Sequence, residues 1–275
     1  MNETNLPTIA QLLQACTLPA LETRMLLCHV TGLSREQLIT RREHRPSAEQ
    51  VAVFLHLGHQ RLHGRPMAYL LGTREFYGRP FRVNEQVLIP RPETELLVET
   101  VLDCLHGQEA PAVLDLGTGS GAIAVTLALE APHANVSASD VSPAALAVAR
   151  GNAAQLEAAV TFIESDWWQA LPPQRFDVIV SNPPYIAASD PHLQQGDLRF
   201  EPPQALTDNA DGLSAYREII AQAGGYLQAG GWLWLEHGYD QADAVCALLE
   251  QAEFGRIGSK CDLAGHARVS GGQML

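Results

Sequence analysis

The stretch that most narrows the possible folds runs from Ala112 to Glu130. Ala112-Val113-Leu114-Asp115-Leu116 leads into Gly117-Thr118-Gly119-Ser120-Gly121 and then into an apolar segment beginning at Ala122. A short apolar run closed by a glycine turn and followed by an apolar helix reads as a buried parallel strand whose helix packs back on the sheet. The same alternation continues. Strands are expected at 136–139, 160–164, 176–181 and 232–236, helices from about Pro143 to Leu156, over about 212–228 and over 241–253, and two short strands at 256–261 and 268–270. Alternation of this kind predicts an α/β chain with a doubly wound sheet, in which ligands collect at the carboxyl ends of the strands.

Two of those strand ends carry polar groups suited to one kind of ligand. Glycines after Leu116 let the backbone approach a ligand closely, and the following helix offers a positive amino end. Gly-x-Gly-x-Gly turns also serve dinucleotides. Asp115 sits before the turn, able to face an ammonium group, and the spacing is not Gly-x-Gly-x-x-Gly, so S-adenosylmethionine is favoured. Asp140, about twenty residues beyond the turn, can accept from both ribose hydroxyls. It also competes to cap the next helix, although Ser142 is the better-placed cap. In Ser165-Asp166-Trp167-Trp168, Asp166 is assigned to the adenine amine and Trp167 to the ring, against the alternative of a core Trp pair.

The strand at 176–181 opens into Asn182-Pro183-Pro184-Tyr185. Successive prolines fix φ and remove two N–H donors, so the Asn182 side chain and the Pro183 carbonyl project as acceptors. Such a pair suits a planar NH₂ group, one oxygen to each hydrogen, with Tyr185 offering a flat face beside it. Delocalisation makes an amide or aromatic amine a poor nucleophile. Holding both hydrogens orients the nitrogen and stabilises the charge it acquires during attack. The long segment 187–211, with Phe200-Glu201-Pro202, is placed to wall the substrate pocket.

Ahead of this half the pattern is helical. Leucines and other apolar residues from Leu12 to Leu38 recur at three- and four-residue spacings, and Ser47 with Gln50 fits a capping box opening a helix to about His63. A bundle of four or five helices is expected over residues 1–74, as a recognition module. A β-hairpin linker follows over 75–89 and the catalytic domain over 90–275. Pro90-Arg91-Pro92-Glu93-Thr94-Glu95 halts a strand and starts a helix. His56, His59 and His63 fall on roughly one helix face, but no cysteine or carboxylate completes a metal site, so no metal is expected.

Charge separates the halves. Residues 1–75 hold eight Arg and six acidic residues, a balance of +2, whereas 76–275 hold ten basic and 25 acidic residues, a balance of −15. An acidic catalytic half argues against sequence-independent binding to a phosphate backbone. Five scattered cysteines without a Cys-x-x-Cys pair point to a reducing cytoplasm. Residues 1–19 lack the pattern of an export signal, and no apolar run reaches the ~18 residues of a membrane span.

The order Asp-Leu-Gly-Thr-Gly-Ser-Gly, Asp140, Ser-Asp-Trp and Asn-Pro-Pro-Tyr, with Ile89-Pro90-Arg91-Pro92-Glu93-Thr94-Glu95 before it and Phe200-Glu201-Pro202 behind, resembles the HemK/PrmC family of release factor glutamine methyltransferases. The resemblance implies a Rossmann-like, seven-stranded class I methyltransferase domain behind the helical module. It implies S-adenosylmethionine as methyl donor, contacted by Gly117, Thr118, Gly119, Ser120, Gly121, Asp140, Trp167 and Asn182. It also implies a substrate, the glutamine N5 in the Gly-Gly-Gln motif of class 1 peptide chain release factors, held by Asn182, Pro183, Pro184 and Tyr185. The rival is an adenine-N6 nucleic-acid methyltransferase, whose exocyclic amine presents the same planar NH₂. Gly271-Gly272-Gln273 reproduces the substrate tripeptide near the end of the chain and is read as a chance match on a flexible terminus.

Overall fold

A computed structural model describes residues 6–275, so the first part of the 1–19 reading lies outside the described residues. The chain divides into two compact units, 1–72 and 73–275.

The first unit holds α1 (Ile9–Ala15), α2 (Ala20–Thr31), α3 (Arg35–Thr40), α4 (Ala48–Leu62) and α5 (Met67–Leu71). Ile9, Leu12, Leu26, Leu27, Leu38, Phe54 and Leu70 form its core. The capping box at Ser47 is present, with Gln50 N–H donating to Ser47 Oγ at 3.1 Å and Ser47 N–H donating to Gln50 Oε1 at 2.9 Å. Thr8 and Ser34 build the same box with Gln11 and Gln37, so three helix starts use one device. Arg61 on α4 donates to both carboxylate oxygens of Glu22 on α2 at 3.0 and 2.9 Å. The His59 and His63 rings lie 4.2 Å apart, tilted by 41°, and no metal-binding group of His, Cys, Asp or Glu occurs among the described residues.

In the second unit, β1 (Thr73–Phe76) and β2 (Arg79–Arg82) form an antiparallel hairpin, with Phe76 opposite Arg79. The hairpin thus lies at 73–82, earlier than the expected 75–89, because Tyr77 and Gly78 make the turn with positive φ. Phe76 and Phe81 are fully buried with Leu97, Val98 and Val101, so the hairpin is packed into the second unit's core. Pro92–Thr94 is a single 3-10 turn that leads into α6 (Glu95–Leu105).

The remaining elements are β3 (Ala112–Leu116), α7 (Ala122–Glu130), β4 (Asn135–Asp140), α8 (Pro143–Leu156), β5 (Val160–Glu164), β6 (Phe176–Ser181), α9 (Ser214–Tyr226), β7 (Leu227–Glu236), α10 (Ala242–Gln251), β8 (Gly255–Cys261) and β9 (Ala267–Gln273). They build a seven-stranded sheet in the order β5-β4-β3-β6-β7-β9-β8, parallel except for β9, which runs antiparallel to both neighbours. Side chains alternate between the faces. Val113, Val178, Val180 and Trp234 pack against α6 and α7, whereas Leu114, Leu116, Ile179, Leu233 and Leu235 pack against α9 and α10. The strand order reverses between β3 and β6, where Leu116 is paired with Ser181. Both turns singled out in the sequence leave the sheet at that point.

One expectation is overturned. Gly271-Gly272-Gln273 is no flexible tail: it lies in β9, Gly271 opposite Trp234 and Gln273 opposite Trp232, with both glycines buried. A Cβ on Gly271 would come within 2.2 Å of the Trp234 ring, so the glycine there is imposed by packing.

Candidate active site

At the switch point the two turns share one cavity of about 360 Å³. Its walls include Gly117, Thr118, Gly119 and Ser120 from the glycine turn, Asp140 after β4, and Asp166 and Trp167 after β5. Asn182, Pro183 and Pro184 after β6 complete the sequence-predicted residues on the wall. Arg91, Pro202 and Asp208 also line it. Asp115, Gly121 and Tyr185 do not border this space.

Asp115 lies fully buried beneath the glycine turn, where its Oδ2 accepts from Thr118 Oγ1 at 2.6 Å and its Oδ1 has no hydrogen-bond partner among the described residues. Burial pushes its carboxyl up to about 7, against the pull of the Thr118 hydroxyl and the Ala124 amide. Asp140 accepts from Gly119 N–H and Ser142 N–H, both at 2.9 Å. A carboxylate has about four acceptor positions, so capacity remains for a diol. Ser142, meanwhile, caps α8 by accepting from Ala145 N–H.

Trp167 holds a positive φ of 45°, a strained conformation for a bulky side chain. Ser165 supports it by donating to Trp167 O at 2.8 Å and accepting from Ala170 N–H at 3.0 Å. The indole lies beside Gly117, whose absent Cβ would sit 3.5 Å from the ring. Asp166 is exposed and accepts from Gln169 Nε2 at 3.1 Å.

These features fit S-adenosylmethionine. No side chain caps the first turn of α7, nothing stands within 4 Å of the Cβ position of Gly119, and Asp140 retains acceptor capacity. An aromatic face and a diol acceptor thus flank a bare backbone turn.

Asn182 is half-buried, and its Nδ2 donates to Thr94 Oγ1 at 3.4 Å. Tyr185 packs against the core cluster that α9 and α10 build on the sheet, and burial pushes its phenol above the ordinary range. Its carbonyl accepts from Gln241 Nε2 at 3.0 Å, and the same nitrogen donates to Gly212 O at 3.2 Å. Gln241 therefore fastens the end of the Asn-Pro-Pro-Tyr turn to the end of the long loop.

Asn152 and Glu236 are not singled out by the sequence, and Glu201 enters there only within the pocket wall and the family motif. Asn152, fully buried on α8, donates to Ser120 O at 2.8 Å and Arg82 O at 3.0 Å and accepts from Arg82 N–H at 2.8 Å. It joins the hairpin to the glycine turn. Glu201, 3% exposed, accepts from Ile89 N–H at 2.9 Å and pairs with Arg91, which ties the long loop to the segment before α6. Glu236, 2% exposed at the carboxyl end of β7, borders Thr94 and Asn182, and its Oε2 has no hydrogen-bond partner among the described residues. Burial, reinforced by Glu93, pushes its carboxyl up to about 7, while Thr94, Arg268 and Asn182 pull it down. An acid ending an apolar strand is the signal that picked out Asp140, and it would have found Glu236 too.

Known proteins match across the chain. Residues 6–72 match the PrmC N-terminal domain and 92–197 the Methyltransferase small domain. The release factor glutamine methyltransferase of Burkholderia pseudomallei is 55% identical over 274 residues, covering 97% of this chain and 96% of its own. That of Bordetella pertussis is 56% identical over 258 residues, covering 94% and 96%. Among solved structures, a Pyrococcus furiosus methyltransferase superposes with a TM-score of 0.55 at 16% identity, covering 82% of this chain and 98% of its own. A Thermus thermophilus 16S rRNA N2 G1207 methyltransferase in complex with AdoMet and guanosine gives 0.55 at 23%, covering 74% and 50%; both likenesses concern the fold alone. The chain belongs to the release factor glutamine methyltransferase family and is a class I methyltransferase that uses S-adenosylmethionine.

Proposed function

We propose that this enzyme methylates N5 of the glutamine in the Gly-Gly-Gln motif of class 1 peptide chain release factors, with the substrate amide seated on the Asn182-Pro183-Pro184-Tyr185 turn. The observation that carries this reading is the side-by-side exit of that turn and the glycine turn into one cavity. Relatives over half identical and matched along nearly their whole length bear the name release factor glutamine methyltransferase, which supports this reading. The −15 balance of residues 76–275 speaks for a protein substrate over a nucleic acid.

S-adenosylmethionine supplies an electrophilic methyl group, which the amide nitrogen accepts in exchange for one proton. Residues 117–120, the uncapped start of α7, Asp140 and Trp167 bind and orient the donor. Asp115 and Gly121 shape the turn from beneath, and Asp166 stands at the rim for the adenine amine. Asn182 Oδ1 and the Pro183 carbonyl each take one N–H of the substrate amide. Those two acceptors stabilise the positive charge that develops on nitrogen and align its lone pair. Tyr185 holds the turn's far end through the core.

The test is methyl transfer from labelled S-adenosylmethionine to a purified class 1 release factor, beside its Gly-Gly-Gln→Gly-Gly-Ala form and unmethylated DNA. Label on the intact release factor alone is expected. Asn182→Ala should then lower kcat/KM by about 100-fold or more. Label on the Ala form or on DNA would overturn the reading.

A further inference from the structure

Asn182 can present either of two opposite faces to a substrate, because its side-chain amide carries an acceptor at one end and a donor at the other. Only the acceptor face suits an incoming NH₂. Something has to choose between them, and the surroundings of the residue identify it.

Ser181 and Leu235 are partners across β6 and β7, so the next residues, Asn182 and Glu236, leave neighbouring strands side by side. Thr94 closes the triangle, with its Oγ1 3.4 Å from Asn182 Nδ2. The Glu236 backbone is pinned, since its carbonyl accepts from Tyr216 Oη at 2.9 Å. Its side chain is buried in the electrostatic reach of Thr94 and Asn182, and among the described residues Oε2 has no hydrogen-bond partner. An ionised carboxyl accepts hydrogen bonds and donates none. The Asn182 end turned toward it is therefore Nδ2, and no described residue donates to Oδ1.

We infer that Glu236 is a positioning residue: its buried carboxyl, with the Thr94 hydroxyl, claims the donor end of the Asn182 amide and so commits Oδ1 to the cavity as an acceptor for a substrate NH₂. A buried acid with an unpaired oxygen is costly for stability alone, which is why a role in the site accounts for it better than packing does. The carboxyl also sets a selectivity. An amide fits the committed Oδ1, whereas a carboxylate of the same shape meets oxygen against oxygen. The inference rests on the proposed amide substrate.

The experiment compares binding of two release factors, one with Gly-Gly-Gln and one with Gly-Gly-Glu, to the full-length enzyme at pH 8. Wild type, Glu236→Gln and Glu236→Met are each measured, with S-adenosylmethionine affinity reporting that the site is folded. Wild type is expected to prefer the Gln form by about tenfold or more. In both variants Asn182 is free to turn its donor end outward, so the preference should shrink by about tenfold toward parity. Transfer to the Gln form should fall by about three- to tenfold, the worth of one lost hydrogen-bond constraint. An unchanged Gln-over-Glu preference in a folded variant would overturn the positioning role while leaving the proposed function intact. Absence of transfer by wild type to the Gln form would instead overturn the function and the inference with it.

Discussion

Asn152 shows how one side chain supports a cavity that it does not line. Its three hydrogen bonds satisfy the Arg82 amide and the Arg82 and Ser120 carbonyls. Asn152→Leu leaves all three without that partner. A loss of about 2–4 kcal/mol in chemical denaturation is expected, together with weaker S-adenosylmethionine binding by calorimetry. Gly212 answers to the other turn. It sits at φ +79°, and a Cβ there would lie 2.5 Å from Tyr185 O. Gly212→Ala must push the Asn-Pro-Pro-Tyr turn aside, with about 1–3 kcal/mol of strain. Release-factor methylation should therefore fall more than donor affinity does, and equal losses in the two would count against this account.

At the level of elements, β9 separates a motif from its setting. Gly271-Gly272-Gln273 spells a substrate tripeptide, yet Gln273 lies between Trp232 on β7 and Gly255 on β8 and donates from Nε2 to Gly230 O at 2.7 Å. Incubation with S-adenosylmethionine should leave the intact mass of the enzyme unchanged, and an added methyl on Gln273 would contradict this. Gly271→Ala is expected to destabilise the second unit by about 3 kcal/mol or more, because neither the backbone of β7 nor the Trp234 ring can retreat. In the first unit, Ser47→Ala removes a cap worth ~1 kcal/mol, and the effect should stay within residues 1–72 in hydrogen exchange.

For the whole molecule, the buried acids leave a signature in pH. Glu236 titrates near 4.5 when unfolded and is pushed up to about 7 in the fold. Between these values the folded protein binds the proton more tightly than the unfolded chain, so this group's contribution to stability is lost as pH rises through that window. The loss amounts to roughly 3 kcal/mol by the top of it. His237, buried and held below its ordinary value, acts in the opposite direction. The clean measurement is therefore a difference: Glu236→Gln should become more stable relative to wild type as pH is raised from 5 to 8. A difference that is flat with pH would show that the carboxyl is not carrying this cost.

The β/α alternation, the glycine turn, Asp140 and the Asn-Pro-Pro edge were legible in the sequence because each is written in local periodicity or in the geometry of adjacent residues. The capping box at Ser47 was legible for the same reason. Tertiary structure decided the rest. Asn152 meets Arg82, Glu201 meets Ile89 and Asn182 meets Thr94 across 70, 112 and 88 residues of chain. No local pattern marks which polar groups will be buried together over such distances. Glu236 was visible as an acid ending a strand, but its partnership with Asn182 exists only through the register of β6 and β7. The last glycines looked like a flexible end because composition alone cannot report that a strand from elsewhere in the chain lies close enough to forbid a side chain.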